Sequence, residues 1–317
     1  MPVTARASHL DVPLTNLTVK AFDGGASNIA DSIFPVVSVG KRSDKYYTFT
    51  KQSWLTVPDT KRAPGSPSNR VTWDISSDSY YAEAYGLAAE YPVEDIANAD
   101  ASINFRNSTA LQVAEKLARD RERRIARLIS SGGNVGSGVT LSGDTLWSNY
   151  TNSDPIGTVN TGHAYIRNLT GMEADTMITN INVITIVRRH PDLLDMFKYT
   201  SGGALTNDQL AQVFGVQRIL IGRGIVENAL EGGTSSLTNI WPNNVTLCRA
   251  QPAAGLMTAT VGLQFRWTNP ELGTPFAVQR SRKDDAGSNH TEAVEARYYQ
   301  DEKIIAPELG YVINTAI

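Results

Sequence analysis

Few residues in this chain carry the chemistry of a reactive site, and none stands in the company such a site needs. Four histidines, His9, His163, His190 and His290, are scattered singly. The single cysteine, Cys248, excludes a disulfide within the chain and a cysteine-rich metal centre. Its ordinary reading is a small buried apolar residue. Carboxylates gather at Glu90/Glu94/Asp95, Asp284/Asp285 and Asp301/Glu302, where solvated charge is the default. Neither H-E-x-x-H nor G-x-S-x-G occurs. His190 precedes Pro191 and reads as helix-start chemistry rather than as a base.

The sharper candidate is Gly222-Arg223-Gly224, because it follows the apolar run Val216–Ile221. A phosphate-cradling loop leaves a strand and opens a helix. The third glycine of a dinucleotide turn would stand at 227, where the chain has Glu227, and no Walker pattern occurs. The pair Gly202-Gly203 follows a helix-like run and reads as its stop. These glycines are therefore expected to punctuate structure, and no cofactor or metal is expected.

The elements around them are better defined. Pro191 and Asp192 suit a helix start. Thr206-Asn207-Asp208-Gln209 is a capping box for a helix closing at Gly215. A helix is expected after Pro155 and a strand near 176–187. Upstream, 107–130 has an apolar stripe, Leu111, Ala114, Leu117, Ala118, Ile125, Leu128 and Ile129. The pairs Glu115–Arg119 and Asp120–Arg124 have favourable helical spacing. This helix would be roughly 35 Å long and ends at Gly132-Gly133. Its five arginines, Arg119 to Arg127, could meet phosphate, but interleaved acids favour a solvated or subunit-facing surface.

Residues 45–57 and 70–81 read as the two arms of a hairpin. Tyr47 and Phe49 share a face, and Val71, Trp73 and Ile75 alternate with polar residues. The tip between them holds Pro58, Pro64 and Pro67 with Lys61, Arg62 and Arg70. Arms of about 12 residues would reach roughly 40 Å, and a two-stranded ribbon is marginal alone. It either folds back on its own core or needs a partner. Residues 1–40 read as an extended arm with at most a short helix near 27–33, ordered by something else.

Composition bounds the rest. The chain has 317 residues, 41% hydrophobic and 19% charged, with a formal net charge of −3. That length suggests about two domains, and the charge gives no global attraction to nucleic acid. The N-terminus lacks a signal-peptide core, and no run is long and apolar enough to span a bilayer. A cytoplasmic site of synthesis and no membrane contact are expected. Six Asn-x-Ser/Thr triplets, at Asn16, Asn107, Asn149, Asn168, Asn244 and Asn289, read as chance or capping residues.

The order of arm, hairpin, long helix, glycine-rich exit, αβ-type region and returning strands resembles the major capsid proteins of tailed bacteriophages, the Hong Kong 97 fold. The phrases IADSIFPVVSVGKRSDKYYTF and SYYAEAYGLAAEYPVEDIANAD resemble the entry to and exit from that family's extended loop. RRHPDLLDMFKYTSGG, LAQVFGVQRILIGRG and IWPNNVTL resemble its axial domain and return. FRWTNPELGTPF and YYQDEKIIAPELGYVINTAI resemble its closing peripheral strands.

The resemblance implies an α+β capsid fold in four parts. These are an N-terminal arm (1–40), an extended β-hairpin loop (41–82), a peripheral domain (83–135 and 250–317) with a spine helix at 107–130, and an axial domain (136–249). It implies hexamers and pentamers of the chain in an icosahedral shell around double-stranded DNA, held without sequence-specific binding. The shell would be assembled in the bacterial host cytoplasm and found in the virion. Partners would be the portal protein, a separate scaffolding protein and decoration proteins. A separate scaffolding protein, or none, is favoured because only about 40 residues precede the loop. The interior is expected to be weakly charged. Lys41, Lys45, Lys51 and Lys61 lie in or beside the loop, but no crosslinking reaction is assigned to them. Phe49, Trp54 and Trp73 are the expected packing residues of the hairpin, and Lys61, Arg62 and Arg70 the expected tip contacts to a neighbour. An encapsulin-type compartment shell and a soluble αβ enzyme are the alternative readings.

Overall fold

The apolar stripe of the 107–130 segment forms one long helix, and the two larger sheets pack around it. The computed structural model describes residues 9–10, 28–49, 55–68, 70, 75–94, 105–197, 205–230, 232–251, 258–268, 276–283 and 291–317. The first elements in chain order are β1 (His9–Leu10), α1 (Ala30–Ile33), β2 (Val36–Val39), β3 (Ser43–Phe49), β4 (Ile75–Tyr81), β5 (Glu83–Pro92) and α2 (Phe105–Ile129). There follow β6 (Ser137–Thr140), α3 (Pro155–Thr170), β7 (Thr176–Asn180), α4 (Ile181–Val187), α5 (Pro191–Phe197), α6 (Asn207–Val213), β8 (Arg218–Gly222), β9 (Ile225–Glu227) and β10 (Leu237–Asn239). The last are β11 (Val245–Cys248), β12 (Gly262–Trp267), β13 (Phe276–Lys283), β14 (Thr291–Ile304) and β15 (Gly310–Asn314).

The first sheet hangs on β14. At about 3.3 Å per residue this strand is roughly 46 Å long. One of its edges pairs antiparallel with β5 over Thr291–Gln300. The other edge carries β13 as far as Tyr298 and then β12 from Gln300, end to end, so neither register includes Tyr299. Strand β1 extends the sheet beyond β13, and β2 runs parallel to β12. Val294, Ala296 and Tyr298 of β14 bury against Ala110, Val113, Ala114, Leu117 and Ala118 of α2. Alanines on the helix face let it lie close to the sheet.

The second sheet has the order β6-β15-β11-β7-β8. Strands β7 and β11 are buried at every position, as expected for strands covered on both faces. Helix α3 crosses this sheet at Gly162, where a Cβ would lie 2.6 Å from Leu247 Cδ1 and 2.8 Å from Tyr311 Cδ1. The Gly222-x-Gly224 question resolves in the same way. Gly222 ends β8 against the Trp241 ring, whose Cδ1 is 2.1 Å from where a Cβ would stand, and the chain runs on into β9 rather than a helix. The glycine admits an indole, and the turn has no helix N-terminus to meet a phosphate.

Two expectations need correction. Residues 176–187 are not one strand. Asn180 accepts the Val183 amide and caps α4, so Ile181–Val187 is a helix despite its β-branched run. The final strand, grouped with the peripheral 250–317 segment from sequence, lies in the second sheet between β6 and β11. Its first four residues are all buried, which suits a sheet interior. The capping box forms as read: Gln209 N donates to Thr206 Oγ1, and Thr206 N donates to Gln209 Oε1. Gly215 closes that helix region at φ 66°. The stop expected at Gly202-Gly203 lies outside the described residues.

Helix α2 also supplies the anchor for α1, which leads through β2 into the hairpin. Glu122 is fully buried. Its carboxylate accepts the amides of Ile29 at 3.0 Å and Ala30 at 2.9 Å, and the Trp241 indole N–H at 2.7 Å. Burial pushes this carboxyl above its usual range, against the pull of those three donors and of Arg121. Arg121, 1% exposed, holds Asp31 at 2.9 Å, and Gln264 donates to the other Asp31 oxygen. Arg124 pairs with Glu302 at 2.8 Å, donates to Tyr298 Oη at 2.9 Å, and lies 3.7 Å from the Tyr85 ring centre. The arginine run is therefore not simply a solvated or subunit-facing surface: two of its members tie the chain together internally. Glu122→Ala leaves three buried donors without their acceptor. It is expected to lower the unfolding free energy of the isolated chain by about 3 kcal/mol or more, measured in urea. Glu122→Gln, which keeps one acceptor, should lose less.

Candidate subunit interface

Strands β3 and β4 pair antiparallel from Ser43↔Tyr81 to Phe49↔Ile75 without interruption. The two-residue period puts Tyr46 and Tyr80 on one face and Tyr47 and Tyr81 on the other. On the first face the rings of Tyr46 and Tyr80 are buried against Phe265 of β12, at centroid distances of 5.1 and 4.7 Å. Leu263 completes this small core, with Val37, Val39 and Ile305 beside it. Tyr46 Oη donates to Asp78 at 2.8 Å and Tyr80 Oη to the Lys41 carbonyl at 3.1 Å. Burial, then the Asp78 charge, push the Tyr46 phenol far up; the Tyr46 hydroxyl and the Ser79 amide hold Asp78 below the usual carboxylate range.

The root is bracketed as well as packed. Ala82 N donates to the Arg42 carbonyl at 2.8 Å, and Arg42 Nε returns to the Ala82 carbonyl at 3.1 Å. The Arg42 guanidinium lies 4.9 Å from the Tyr81 ring centre and 5.6 Å from that of Tyr299. Tyr299 in turn meets Trp267 edge-on at 5.0 Å. The Tyr81 amide donates to Asp301 Oδ2 at 2.9 Å. Burial pushes the Asp301 carboxyl above its usual 3.8, against that amide and Lys303.

The opposite face has no such core among the described residues. Tyr47 is 72% exposed and Tyr81 51%. The tip is exposed over almost all of its described length, with Val57 at 87%. It reverses at Ala63–Ser66, where Ser66 N donates to Ala63 O at 3.1 Å and Gly65 takes φ 82°, the positive value that a turn with proline before glycine needs. Arg62 Nη1 donates to the Ser66 carbonyl at 3.3 Å, which holds the guanidinium in the turn. Lys61, Arg62 and Arg70 are all exposed there. Phe49 pairs with Ile75 in the last described rung of the ladder. Trp54 and Trp73 lie outside the described residues.

Sequence reasoning put Tyr47 and Phe49 on one face, named Phe49, Trp54 and Trp73 as packing residues, and did not single out the anchors Tyr46, Tyr80 and Phe265. The doublets Tyr46-Tyr47 and Tyr80-Tyr81 were the available signal. Adjacent strand residues face opposite ways, and only the distant Phe265 decides which of each pair is buried.

Other reactive side chains serve packing. His190 is buried with Nε2 3.0 Å from Ser153 Oγ, and Asp192 is 3.7 Å from Nδ1. This looks like a catalytic line, but Ser153 donates to the Asn149 carbonyl at 2.7 Å and Tyr150 stands edge-on to the imidazole. The His190 carbonyl accepts Leu194 N at the start of α5, the helix-start role read from sequence. Cys248 is fully buried in β11, and burial pushes its thiol up. Among the described residues, no group of three or more His, Cys, Asp or Glu could hold a metal ion.

No protein-family model matches the chain. It is 26% identical over 318 residues to the protein named major capsid protein of Pseudomonas phage JBD67, with 97% of each chain covered. It is 27% identical over 241 residues to the major capsid protein of Burkholderia phage BcepMu, covering 75% of each. A crystal structure of a phage-related protein from Bordetella bronchiseptica RB50 superposes with a TM-score of 0.73 at 22% identity, over 98% of this chain and 99% of that one. The capsid of cyanophage P-SCSP1u gives 0.63 at 9% identity, over 90% and 88%. The α+β architecture is that of phage capsid subunits.

Phe265→Ala should release the hairpin root, at a local loss of about 3–5 kcal/mol. Hydrogen exchange should speed up over 43–49 and 75–81 while α2 stays protected; equal change in both contradicts the anchoring role. A second test uses Asp301. Because its native pKa is raised, its stabilising contribution is present below 3.8 and lost as pH rises through the native value. Asp301→Asn keeps an acceptor for the Tyr81 amide and removes the charge. The Tm of the variant relative to the parent should therefore improve from about pH 3.5 to neutral, and a constant difference would contradict this.

Proposed function

We propose that the chain is the major capsid protein of a tailed bacteriophage, a structural protein that self-assembles into the icosahedral shell around the double-stranded DNA genome. The observation that carries this reading is a ribbon anchored by one face and bare on the other, in a chain alignable over 97% of its length with a phage major capsid protein. A ribbon so exposed is marginal alone, and a neighbouring copy is the partner that a shell supplies.

In this reading residues 41–82 are the extended loop and lie across the next copy. Residues 83–135 with 250–304 form the peripheral part, and 136–249 with β15 the axial part, which meets its equivalents in hexamers and pentamers. Phe49, Trp54 and Trp73 pack the loop on the neighbour, and Lys61, Arg62 and Arg70 meet its acidic residues. Many weak contacts become strong together through multivalency, and closed symmetry removes open edges. A net charge of −3 suits a container whose DNA is enclosed without being gripped. Portal, scaffolding and decoration proteins complete the particle, which is assembled in the host cytoplasm and persists as the virion. Among the described residues no helix is long and apolar enough to cross a membrane.

Negative-stain imaging of the purified protein, with and without the neighbouring gene products, tests the reading. Uniform polyhedral shells are expected; discrete small particles under every condition would refute it. Protein cargo inside such shells, in place of DNA, would instead favour a compartment of the encapsulin type. Deleting residues 55–70 should abolish shells and leave a folded subunit by circular dichroism.

A further inference from the structure

Helix α2 uses its cations in two ways. Arg121 and Arg124 turn inward to Asp31 and Glu302. Arg119 is matched by Glu115 at 3.6 Å, and Asp120 by Arg124. Lys116, Arg123 and Arg127 differ from these. Among the described residues, none of the three has a carboxylate within ion-pair distance. Lys116 and Arg127 are exposed, and Arg123 is half-buried.

The three stand in one line. At 3.6 residues per turn they leave the helix within about 40° of one another. Arg123 and Arg127 are about 6 Å apart along the axis, and Lys116 lies about 10 Å before Arg123. The other side of α2 is fixed on β14 and α1, which holds the line outward.

The surroundings of the line select its ligand. A protein partner docks on an apolar centre with a polar rim. Among the described residues α2 has no exposed large hydrophobic side chain, and the line is flanked by exposed Gln112, Glu115, Arg119 and Asp120. A phosphate backbone needs no apolar centre. Duplex DNA offers one negative charge per about 1.7 Å of its axis, so a line of about 16 Å meets phosphates in any register. Guanidinium groups also match phosphate oxygens with paired N–H donors.

We infer that Lys116, Arg123 and Arg127 of α2 form a contact line for the phosphate backbone of double-stranded DNA. This rests on the assembly reading above and names the subunit surface that meets the enclosed genome. Phosphate contacts carry no base information, so the contact is independent of sequence. Each one exchanges a phosphate's counterions for a side chain. Three of them make a contact that is weak in one copy, lost in salt and free to slide. That agrees with a chain of net charge −3 that encloses DNA without gripping it.

Fluorescence anisotropy of the full chain with a short mixed-sequence DNA duplex at low salt tests this. Lys116→Gln, Arg123→Gln and Arg127→Gln together should weaken binding about tenfold or more, and the slope of log K against log salt should flatten by about 2.7. Removing three other exposed cations, with Arg167→Gln, Arg189→Gln and Arg223→Gln, should change binding far less. Circular dichroism checks that both variants fold. Should the first misfold, Arg127→Gln alone should still flatten the slope by about 0.9. No binding by the parent, or equal loss in the two triple variants, overturns the proposal. Binding of poly-glutamate but not of the duplex would point to an acidic protein partner and overturns it as well.

Ultraviolet irradiation of DNA-filled shells is an independent arm. Nucleotide adducts are expected on peptides from 112–128. Filled shells without adducts there overturn the proposal and leave the assembly reading intact, whereas shells that never enclose DNA overturn both.

Discussion

A buried carboxylate on the long helix holds the molecule together. Helix α1 has four residues, far below the length at which a helix stands alone in water. Two of the backbone N–H groups at its start end on Glu122, and the Trp241 indole ends on the same side chain. One residue therefore joins the N-terminal segment, the spine and the second sheet. Arg121 and Arg124, within one turn of it, extend the joint to Asp31 and to Glu302 of β14. Burying a charge is unfavourable unless its bonds are complete. Here completeness requires all these elements to be in place at once, which makes the assembled arrangement specific as well as stable.

That joint sets the position of the hairpin. The chain leaves α1 through β2, turns at Gly40 and enters β3, so the ribbon starts where Glu122 and Arg121 have fixed its approach. Phe265 then decides its orientation. With Tyr46 and Tyr80 packed on that ring, the alternation of the strand leaves Tyr47 and Tyr81 outward. The buried and the exposed tyrosines are thus two faces of one ribbon, and a one-residue register slip would exchange them.

Features governed by local rules were legible in the sequence. The stripe of α2, the Thr206 capping box and the alternation of the hairpin arms follow from neighbours within a few residues, whereas the use of Gly222 depends on the indole of Trp241. What depended on distant contacts was not. Ile181–Val187 looked like strand because its β-branched residues favour one, yet Asn180 caps it as helix and burial under the second sheet holds it there. Arg121 and Arg124 looked solvated or subunit-facing beside their acidic neighbours, but their partners Asp31 and Glu302 are 90 and 178 residues away. The last strand joined the second sheet through pairings with β6 and β11 that no local pattern encodes. For the hairpin, the basic proline-rich tip could be read, whereas which tyrosine of each doublet faces outward could not.

The handover along β14 has a mechanical meaning. Among the described residues, β13 pairs with it as far as Tyr298 and β12 from Gln300, while β5 runs unbroken along the other edge from Thr291 to Gln300. Tyr299 touches Arg42 and Trp267 at the foot of the ribbon. Tension applied to the ribbon therefore reaches a strand that is bonded along both edges, by β5 on one side and by β13 and β12 in turn on the other. The pull is spread over several ladders at once, so that no single pair of strands has to carry it alone.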